Sequence, residues 1–229
     1  MILKGWNLFE KILLFGSILF ISLTGLVFHA DLLATLCSIL GVITVLLLAK
    51  GNNYVNVLGV LISILYSIVS YRNKYYGEIL IYIFLMMPMY TIGIFTWLRH
   101  KNKDTDSVEI NTISKREWIL TLLVSCIIFV GIYNLLKAFN TNALYLSSIS
   151  VLFNLYAIYL QVRRSRFSFC FYLVTDILLL ALWIIPVING NYVFIPLILN
   201  PIINFISDSY GLYNWRRTEY IQRNSKLNI

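Results

Sequence analysis

Eight stretches of the sequence are mostly apolar over a length that suits the crossing of a lipid bilayer. A helix needs about 20 such residues to span the hydrocarbon core, because it rises only about 1.5 Å per residue. With 59% hydrophobic and 12% charged residues, the chain has more apolar side chains than one soluble core would use. The pattern predicts an all-α polytopic membrane protein with eight transmembrane helices, at residues 10–28, 32–49, 54–71, 79–98, 117–136, 143–162, 168–188 and 192–215.

The basic residues are divided unevenly between the two sides that eight crossings would create. Of the 18 Lys and Arg residues, all fall on the side of the two termini except Arg72, Lys74 and Lys137. Cytoplasmic loops carry such an excess of positive charge. We therefore expect a multi-pass protein of the cell (inner or plasma) membrane with both termini in the cytoplasm. The same topology accounts for the net charge of +8 without a nucleic-acid partner.

The first apolar stretch has an alternative interpretation as a cleaved signal peptide, because Lys4 and Lys11 precede its apolar run. Cleavage sites usually carry a small residue three positions before the cut. Phe28-His29-Ala30 lacks that residue, and the run is long for a signal peptide. We favour a retained N-terminal helix.

A short motif occurs twice, as Gly93-x-x-x-Trp97 and, 118 residues later, as Gly211-x-x-x-Trp215. Glycine permits close helix packing and tryptophan favours the membrane interface. Each copy closes a group of three apolar stretches, so we interpret the chain as a duplication that gives two parallel three-helix bundles. The expected parts are an N-terminal helix outside the symmetry (1–30), the first bundle (31–98), a cytoplasmic loop and linker helix (99–141), the second bundle (142–215) and a cytoplasmic tail (216–229).

Several residue strings match the pattern of one known family. In the first half they are Leu48-Ala49-Lys50-Gly51, Asn56, Gly59, Tyr66, Tyr76-Gly77-Glu78, Pro88-Met89 and the first Gly-x-x-x-Trp motif. In the second half they are Tyr159-Leu160 before Arg163-Arg164, Asp176, Trp183 and the second motif. Over nearly its whole length, the chain resembles the PnuC nicotinamide riboside transporters.

The resemblance implies a SWEET-like arrangement of three, one and three helices. It also implies uptake of a vitamin-like NAD precursor by facilitated diffusion, trapping by cytoplasmic phosphorylation, and a homo-oligomer, with a trimer as the suggested form. The chain departs from the pattern at Tyr90, where the family usually has Gln, and at Phe169 and Tyr172, where it tends to have Trp. Relatives are thought to carry thiamine or riboflavin, so these vitamins stay open as alternative substrates.

Two acidic residues, Asp176 and Asp208, lie well inside predicted helices. A charge at the centre of such a helix costs roughly 2.5–3.5 kcal/mol on insertion scales, so it usually faces a cavity or a partner. By helical rise, both lie about 10–12 Å from the inner ends of adjacent helices. We expect one of them to favour a substrate with a quaternary ring nitrogen, such as nicotinamide riboside or thiamine. Capping by neighbouring polar groups is the structural alternative.

Other polar and aromatic residues complete the candidate site. Asn200, Asn204 and Asp208 recur every four residues, so they share one face of the last helix, which points to a cavity or to another helix. The substrate-binding candidates are Tyr66, Tyr90, Asp176, Trp183, Asn200 and Asn204. The candidates for gating or for the inner mouth are Lys50, Glu78, Trp97, Asp208 and Trp215, with structural ion pairing as the alternative for the two charged residues Lys50 and Glu78.

Enzymatic and metal-dependent functions find little support in the sequence. Cys37, Cys126 and Cys170 lie in separate apolar stretches, and His29 and His100 lie on opposite sides of the membrane. The G-x-x-x-x-G-K-[ST] loop that binds nucleotide phosphates does not occur. We expect a carrier of a small cationic aromatic nucleoside or vitamin, without a cofactor or metal. An intramembrane enzyme and a membrane sensor are the weaker alternatives.

Overall fold

The computed structural model describes residues 6–28, 31–72, 76–102, 107–141, 143–190 and 195–227. The described chain forms helices throughout, and its one β interaction is an isolated antiparallel bridge between Lys101 and Val108. The helices are α1 (Leu8–Val27), α2 (Leu32–Ala49), α3 (Tyr54–Arg72), α4 (Tyr76–Ile81), a π-helical turn (Tyr82–Met86), α5 (Met87–Arg99), α6 (Lys115–Ala138), α7 (Leu144–Val162), α8 (Phe167–Ile188) and α9 (Ile195–Leu227). The predicted all-α fold is confirmed.

Six helical segments are long and apolar enough to cross a membrane, judged on the described residues. They are α1, α2, α3, the segment Ile79–Arg99, α6 and α7; a shorter apolar segment, Phe167–Leu182, follows in α8. Much of their surface is exposed and apolar, as at Ile127 of α6, which is 74% exposed. Helices with apolar surfaces suit lipid, because all their backbone hydrogen bonds are satisfied internally. The prediction of a multi-pass membrane protein is confirmed.

The helices begin where the sequence supplies side chains that cap them. Asn7 caps α1 by accepting a 2.8 Å bond from the Glu10 amide, and the Glu10 carboxylate accepts a 2.7 Å bond from the Asn7 amide in return. Asp31 caps α2 and Ser114 caps α6 through the same kind of contact. Such caps satisfy amides that have no partner within the helix.

The helices pack in two groups that correspond. α2 packs on α3 and α3 on α5; α7 packs on α8 and α8 on α9. Between the groups, α2 packs on α9 and α5 on α7. The sequence suggested that the N-terminal helix stands outside this correspondence. Its packing has a counterpart, however, because α1 lies against α2 as α6 lies against α7.

The turns that follow α2 and α7 have the same backbone geometry. Gly51 has φ +66° and Arg164 has φ +59°, and each donates its amide to the carbonyl three residues earlier. Such positive φ values suit glycine far better than arginine. The loop before α6 joins both turns, since the Val108 amide bonds the Gly51 carbonyl (3.0 Å) and the Asn111 amide bonds the Arg164 carbonyl (2.9 Å).

The last helix is longer than the sequence predicted. We expected a cytoplasmic tail from residue 216, but α9 continues to Leu227. The extension is held by polar contacts: Glu219 pairs with Arg166 (2.8 Å) and Arg223 (2.7 Å), and Gln222 accepts a 2.9 Å bond from the Ile110 amide. The end of α9 beyond residue 215 is therefore packed against other parts of the chain.

Candidate functional site

A group of polar side chains from five helices lies buried or half-buried where the two groups of helices meet. We call it the polar cluster, and it consists of Asn56 of α3, Tyr90 of α5, Gln161 of α7, Tyr172 and Asp176 of α8, and Asp208 of α9. Three of its members, Tyr90, Asp176 and Asp208, were candidates from the sequence. The other three were not.

Gln161 is the link between the two halves of the chain. Its amide nitrogen donates a 2.9 Å bond to Asn56 Oδ1, and its Oε1 accepts a 2.7 Å bond from the Tyr172 hydroxyl. Asn56 in turn donates a 3.0 Å bond to Asn53 Oδ1. Gln161 and Asn56 are 1% and 0% exposed, so each would be costly to bury without these partners.

Tyr90 joins the same network from α5. Its hydroxyl lies close to the hydroxyl of Tyr172, which itself donates to Gln161 Oε1. Its ring lies directly against Gly59 of α3, where a Cβ atom would overlap it. Glycine at this position is therefore required for the ring to occupy its place between α3 and α5. The departure from the family pattern at Tyr90 thus lies inside the polar cluster.

Asp176 and Asp208 face each other from adjacent helices. The two side chains are nearly fully buried, and the two carboxyl groups lie close enough to interact with each other. Asp176 Oδ2 and Asp208 Oδ1 have no hydrogen-bond partner among the described residues. The other titratable groups that interact with Asp208 are Tyr90 and Tyr172, so no cationic side chain of the described residues offsets the pair. The pair is suited to bind a proton or a cation.

A metal site is not apparent at this position. Within the described parts of the chain, no group of three His, Cys, Asp or Glu side chains comes close enough to hold a metal ion. Besides the two carboxyl groups, the polar cluster contains tyrosine hydroxyls and carboxamides, which can donate and accept hydrogen bonds with organic polar groups.

The two tryptophans of the repeated motif make reciprocal hydrogen bonds between the halves. Trp97 Nε1 donates a 2.8 Å bond to the Gln161 carbonyl, at the end of α7. Trp215 Nε1 donates a 2.9 Å bond to the Leu48 carbonyl, at the end of α2. Their ring centroids are 5.9 Å apart. We call this arrangement the tryptophan clasp, and its first bond ends on the backbone of Gln161, whose side chain belongs to the polar cluster.

The glycines of the motif allow close packing beside this clasp. A Cβ atom on Gly93 would lie 2.5 Å from Asn56 Oδ1, and a Cβ atom on Gly211 would overlap the Phe169 ring. Asn56 and Phe169 are the third residues of α3 and α8. Each glycine therefore positions its helix against the first turn of the corresponding neighbour, and Gly93 does so against a member of the polar cluster.

Two ion pairs occupy corresponding places at the ends of α2 and α7. Lys50 Nζ lies 2.8 Å from Glu10 Oε2 of α1, and Arg163 Nε lies 2.6 Å from Glu117 Oε1 of α6. The hydrogen bonds that the Glu117 carboxylate accepts from the Arg163 guanidinium raise the pKa of Arg163. Lys50 also lies over the Trp6 ring, at 5.9 Å from its centroid. Lys50, a candidate for gating, is thus engaged in a structural ion pair.

The remaining candidates make other contacts or lie outside the described residues. Tyr66 stacks on Tyr82 at a centroid distance of 5.1 Å. Asn200 donates a 2.9 Å bond to Ser38 Oγ, which joins α9 to α2. Asn204 is half-buried on α9. The side chains of Trp183 and Glu78 lie outside the described part of the chain.

Two surface grooves lie away from the candidate residues. One, of about 360 Å³, is lined by aromatic and apolar residues of α6, α7 and α8, among them Trp118, Tyr156 and Phe171. The other, of about 460 Å³, lies along α9 beside Arg216 and Arg217. Neither contains a residue of the polar cluster.

Gln161, Asn56 and Tyr172 were missed as candidates for a common reason. Gln161 and Asn56 stand near the ends of predicted helices, where polar residues are ordinary, and Tyr172 was noted only as a departure from the family pattern. The available signal was a common spacing between the two halves of the chain, because Leu48 lies as far before Gln161 as Asn56 lies before Phe169. That spacing aligns the tryptophan acceptors with each other and Asn56 with Phe169.

Comparison with known proteins identifies the family. The sequence profile described as nicotinamide mononucleotide transporter matches residues 31–217. The chain belongs to this family. Among its relatives, the nicotinamide riboside transporter PnuC of Neisseria mucosa is 26% identical over 230 residues, covering 96% of this chain and 85% of the relative. The protein of the same name from Haemophilus influenzae is 23% identical over 188 residues, covering 81% and 79%.

The fold of this family member agrees with a solved structure. A crystal structure of the vitamin B3 transporter PnuC matches with a TM-score of 0.77, covers 94% of each chain and is 22% identical in sequence. Membership of the family agrees with the resemblance that the sequence motifs indicated, and the family is one of transporters rather than enzymes.

Proposed function

We propose that this chain is a facilitative carrier that takes up nicotinamide riboside, an NAD precursor. Its family and the names of its relatives support this substrate class. The observation that carries the proposal is the buried pair of Asp176 and Asp208 beside the hydroxyls of Tyr90 and Tyr172. This is an acidic, aromatic site without a protein cation among the described residues.

The chemistry of the riboside matches this set of groups. Its pyridinium ring carries a fixed positive charge, which the acidic pair would offset inside the membrane. Tyrosine faces add cation–π attraction of about 0.5–2 kcal/mol when the cation is desolvated. The carboxamide and the ribose hydroxyls would find hydrogen-bond partners in Gln161 and Asn56. The present bonds of these two side chains are with each other, with Tyr172 and with Asn53.

The description of the family names the mononucleotide, which differs from the riboside by a phosphate group. A phosphate dianion needs cationic or amide donors, such as Arg, Lys or a helix N-terminus. The polar cluster instead contains two acids, which would repel it. We therefore infer the riboside rather than the mononucleotide as the substrate.

The membrane arrangement that we propose follows the charge distribution and the paired packing. Eight crossings would place both termini in the cytoplasm and would arrange the helices as an N-terminal helix, two parallel three-helix bundles and a linker helix between them. Alternating access would then arise from movement of one bundle against the other around the polar cluster, with the tryptophan clasp at its inner base. A homo-oligomer, with a trimer as the suggested form, is the assembly that the family resemblance implies.

Counterflow of labelled nicotinamide riboside into proteoliposomes tests the function. A carrier exchanges internal unlabelled substrate for external label, whereas an enzyme or a sensor does not. We expect counterflow with the wild type and at least a tenfold loss with Asp176→Asn. The substitution removes a carboxyl group that would offset the charge of the cation, and a loss of about 1.4 kcal/mol in binding free energy already gives a factor of ten. Asp31→Asn is the matched control, because Asp31 is exposed and Asn caps a helix as well as Asp does.

Competition by related vitamins identifies the substrate. Thiamine also carries a cationic ring, so it should compete more strongly than riboflavin, which is uncharged. Exclusive competition by riboflavin would contradict the role that we give the acidic pair. Absence of counterflow with every vitamin would contradict the carrier function itself.

A further inference from the structure

We propose that the surface groove along α9 binds an anionic phospholipid of the cytoplasmic leaflet. We call it the α9 groove. It has a volume of about 460 Å³, within the range of small-molecule sites, and contains no residue of the polar cluster. The inference rests on the proposed orientation of the chain, with cytoplasmic termini, and does not depend on which substrate is carried. The groove is lined by Ser209, Leu212, Tyr213, Arg216, Arg217 and Tyr220.

The lining residues share one face of α9, because they follow one another at intervals of three or four positions or lie next to each other. The opposite face is buried, with Trp215 2% and Glu219 6% exposed. On the groove side, Tyr213 and Tyr220 are 66% and 69% exposed. The groove is therefore turned away from the other helices and towards the surroundings of the protein.

The depth of the groove follows from the contacts of α9 with α2. Trp215 bonds the Leu48 carbonyl in the last turn of α2, where that apolar helix ends. Arg216 and Arg217 follow directly, so they lie at the level where the inner membrane surface begins. Ser209 lies seven residues before Arg216, about 10 Å deeper along the helix. The α9 groove thus extends from the apolar region to the headgroup level.

The two arginines at the polar end of the groove are available to bind an anion. Both are exposed, and neither forms an ion pair within the described chain. The acid nearest to them in sequence, Glu219, lies on the buried face and pairs with two other arginines. Glu10 of α1 is likewise engaged by Lys50. The positive charge of this end is therefore not offset by a protein carboxylate.

An anionic phospholipid matches both ends of the groove. Guanidinium groups bind phosphate oxygens with two hydrogen bonds at once, and tyrosine rings favour the zone between headgroups and hydrocarbon. Leu212 and the ring of Tyr213 would contact the first carbons of the acyl chains. An acidic cytosolic protein would match the arginines but not this apolar part, which lies at membrane depth. A second copy is a poorer match, because each chain has a net charge of +8.

Native mass spectrometry of the purified full-length protein tests the proposal. Titration with phosphatidylglycerol, or with phosphatidylcholine of the same acyl chains, gives the affinity for each lipid. We expect tighter binding of phosphatidylglycerol. The double variant Arg216→Gln/Arg217→Gln should lower that affinity about 25-fold, because each basic residue near an anionic lipid contributes roughly a factor of five. Arg216→Lys/Arg217→Lys retains the charge and should retain most of the binding.

A matched variant separates a defined site from general charge attraction. Lys115→Gln/Arg116→Gln removes the same charge from exposed positions at the start of α6, outside the α9 groove. It should leave the affinity for phosphatidylglycerol within about twofold of the wild type. Equal losses in the two glutamine variants would overturn the proposal, since the attraction would then be diffuse.

Two further outcomes would also contradict a lipid site. Glycerol phosphate lacks acyl chains, so it should not displace the lipid at equal concentration; displacement would mean that the groove binds phosphate alone. The same spectra give the number of chains in the assembly. A change in that number in Arg216→Gln/Arg217→Gln, with lipid binding unchanged, would make this face an interface with a second copy. None of these outcomes bears on counterflow of the riboside, so the carrier function is tested separately.

Discussion

A single buried side chain, Gln161, holds the polar cluster together across the two halves of the chain. Its amide group donates to Asn56 of α3 and accepts from Tyr172 of α8, and its own backbone carbonyl accepts from Trp97 of α5. Three helices are thus bonded to one residue of a fourth. Because the residue is only 1% exposed, water cannot replace any of these bonds.

Replacement of this residue should be costly. Gln161→Leu keeps the approximate volume but leaves Asn56 Oδ1 and the Tyr172 hydroxyl without their partners, at roughly 1–3 kcal/mol for each buried group. We expect a clear drop in the unfolding temperature of the purified protein in detergent and a higher KM for riboside uptake. Tyr172→Phe removes only one of the bonds, so its effect on stability should be smaller. Equal stability of Gln161→Leu and the wild type would contradict the bridging role.

The sequence reveals some members of this cluster and hides others for physical reasons. Asp176 and Asp208 stand out because a carboxyl group inside an apolar helix is expensive and therefore informative. Gln161 lies two residues before Arg163, where a polar residue is an ordinary sign of a helix end. Its hydrogen-bond partners are determined by the packing between α3, α7 and α8. The pattern of a single sequence does not show which residues meet across helices.

At the level of helices, the glycines of the repeated motif determine how closely neighbours pack. Gly93 lies against Asn56 and Gly211 against Phe169, with no room for a methyl group at either position. The sequence analysis interpreted the motif as the mark of a duplication, with close packing at its glycines, and the contacts show that close packing. The two tryptophans are buried and bonded to the opposite half of the chain rather than exposed at a membrane interface.

Alanine substitutions test this packing. Gly93→Ala and Gly211→Ala should each destabilise the protein by about 1–3 kcal/mol, the usual cost of overpacking. Gly131→Ala in α6 is the matched control, since no atom lies within 4 Å of its added methyl group. It should be neutral or stabilising by about 1 kcal/mol, because alanine is the better helix former. Thermal unfolding followed by tryptophan fluorescence provides the comparison, and equal shifts for all three variants would contradict the packing argument.

The corresponding ion pairs should differ in strength because they differ in burial. The Glu10 side chain is 2% exposed, and the Glu117 side chain is 18% exposed beside an Arg163 that is 41% exposed. We expect Glu10→Gln to lower stability by about 2 kcal/mol, as for buried hydrogen bonds to a charged group. Glu117→Gln should cost about 1 kcal/mol or less, because solvent screens its pair. A greater loss in Glu117→Gln, measured by the same melting experiment, would reverse this assignment.

Helix boundaries were largely predictable, but two features of the elements were not. Predicted ends lie within three residues of the observed ones for most helices, because apolar length determines a membrane-spanning segment. The π-helical turn Tyr82–Met86 divides the fourth predicted stretch without any break in its hydropathy. The extension of α9 to Leu227 depends on Glu219 and Gln222, whose partners lie far away in sequence.

For the whole molecule, the decisive question is which side of the membrane each loop occupies. In a variant without Cys37, Cys126 and Cys170, single cysteines at exposed positions can be tested with an impermeant maleimide on intact cells. Lys137→Cys, at the end of α6, should be labelled from outside because the charge distribution assigns it to the external face. Arg217→Cys of α9 should react only after the cells are permeabilised. The opposite pattern would contradict cytoplasmic termini.

The reciprocity of the tryptophan clasp has a consequence for the origin of the chain. Trp97 of the first half bonds the second half at Gln161, and Trp215 of the second half bonds the first at Leu48. In an isologous dimer, residue i of one subunit meets residue j of the other, and j meets i. The halves are related as two such subunits would be, so the interface fits a half-length ancestor that assembled as a symmetric homodimer. The symmetry does not extend to every side chain, since Asn56 and Phe169 occupy equivalent places in α3 and α8 with different chemistry.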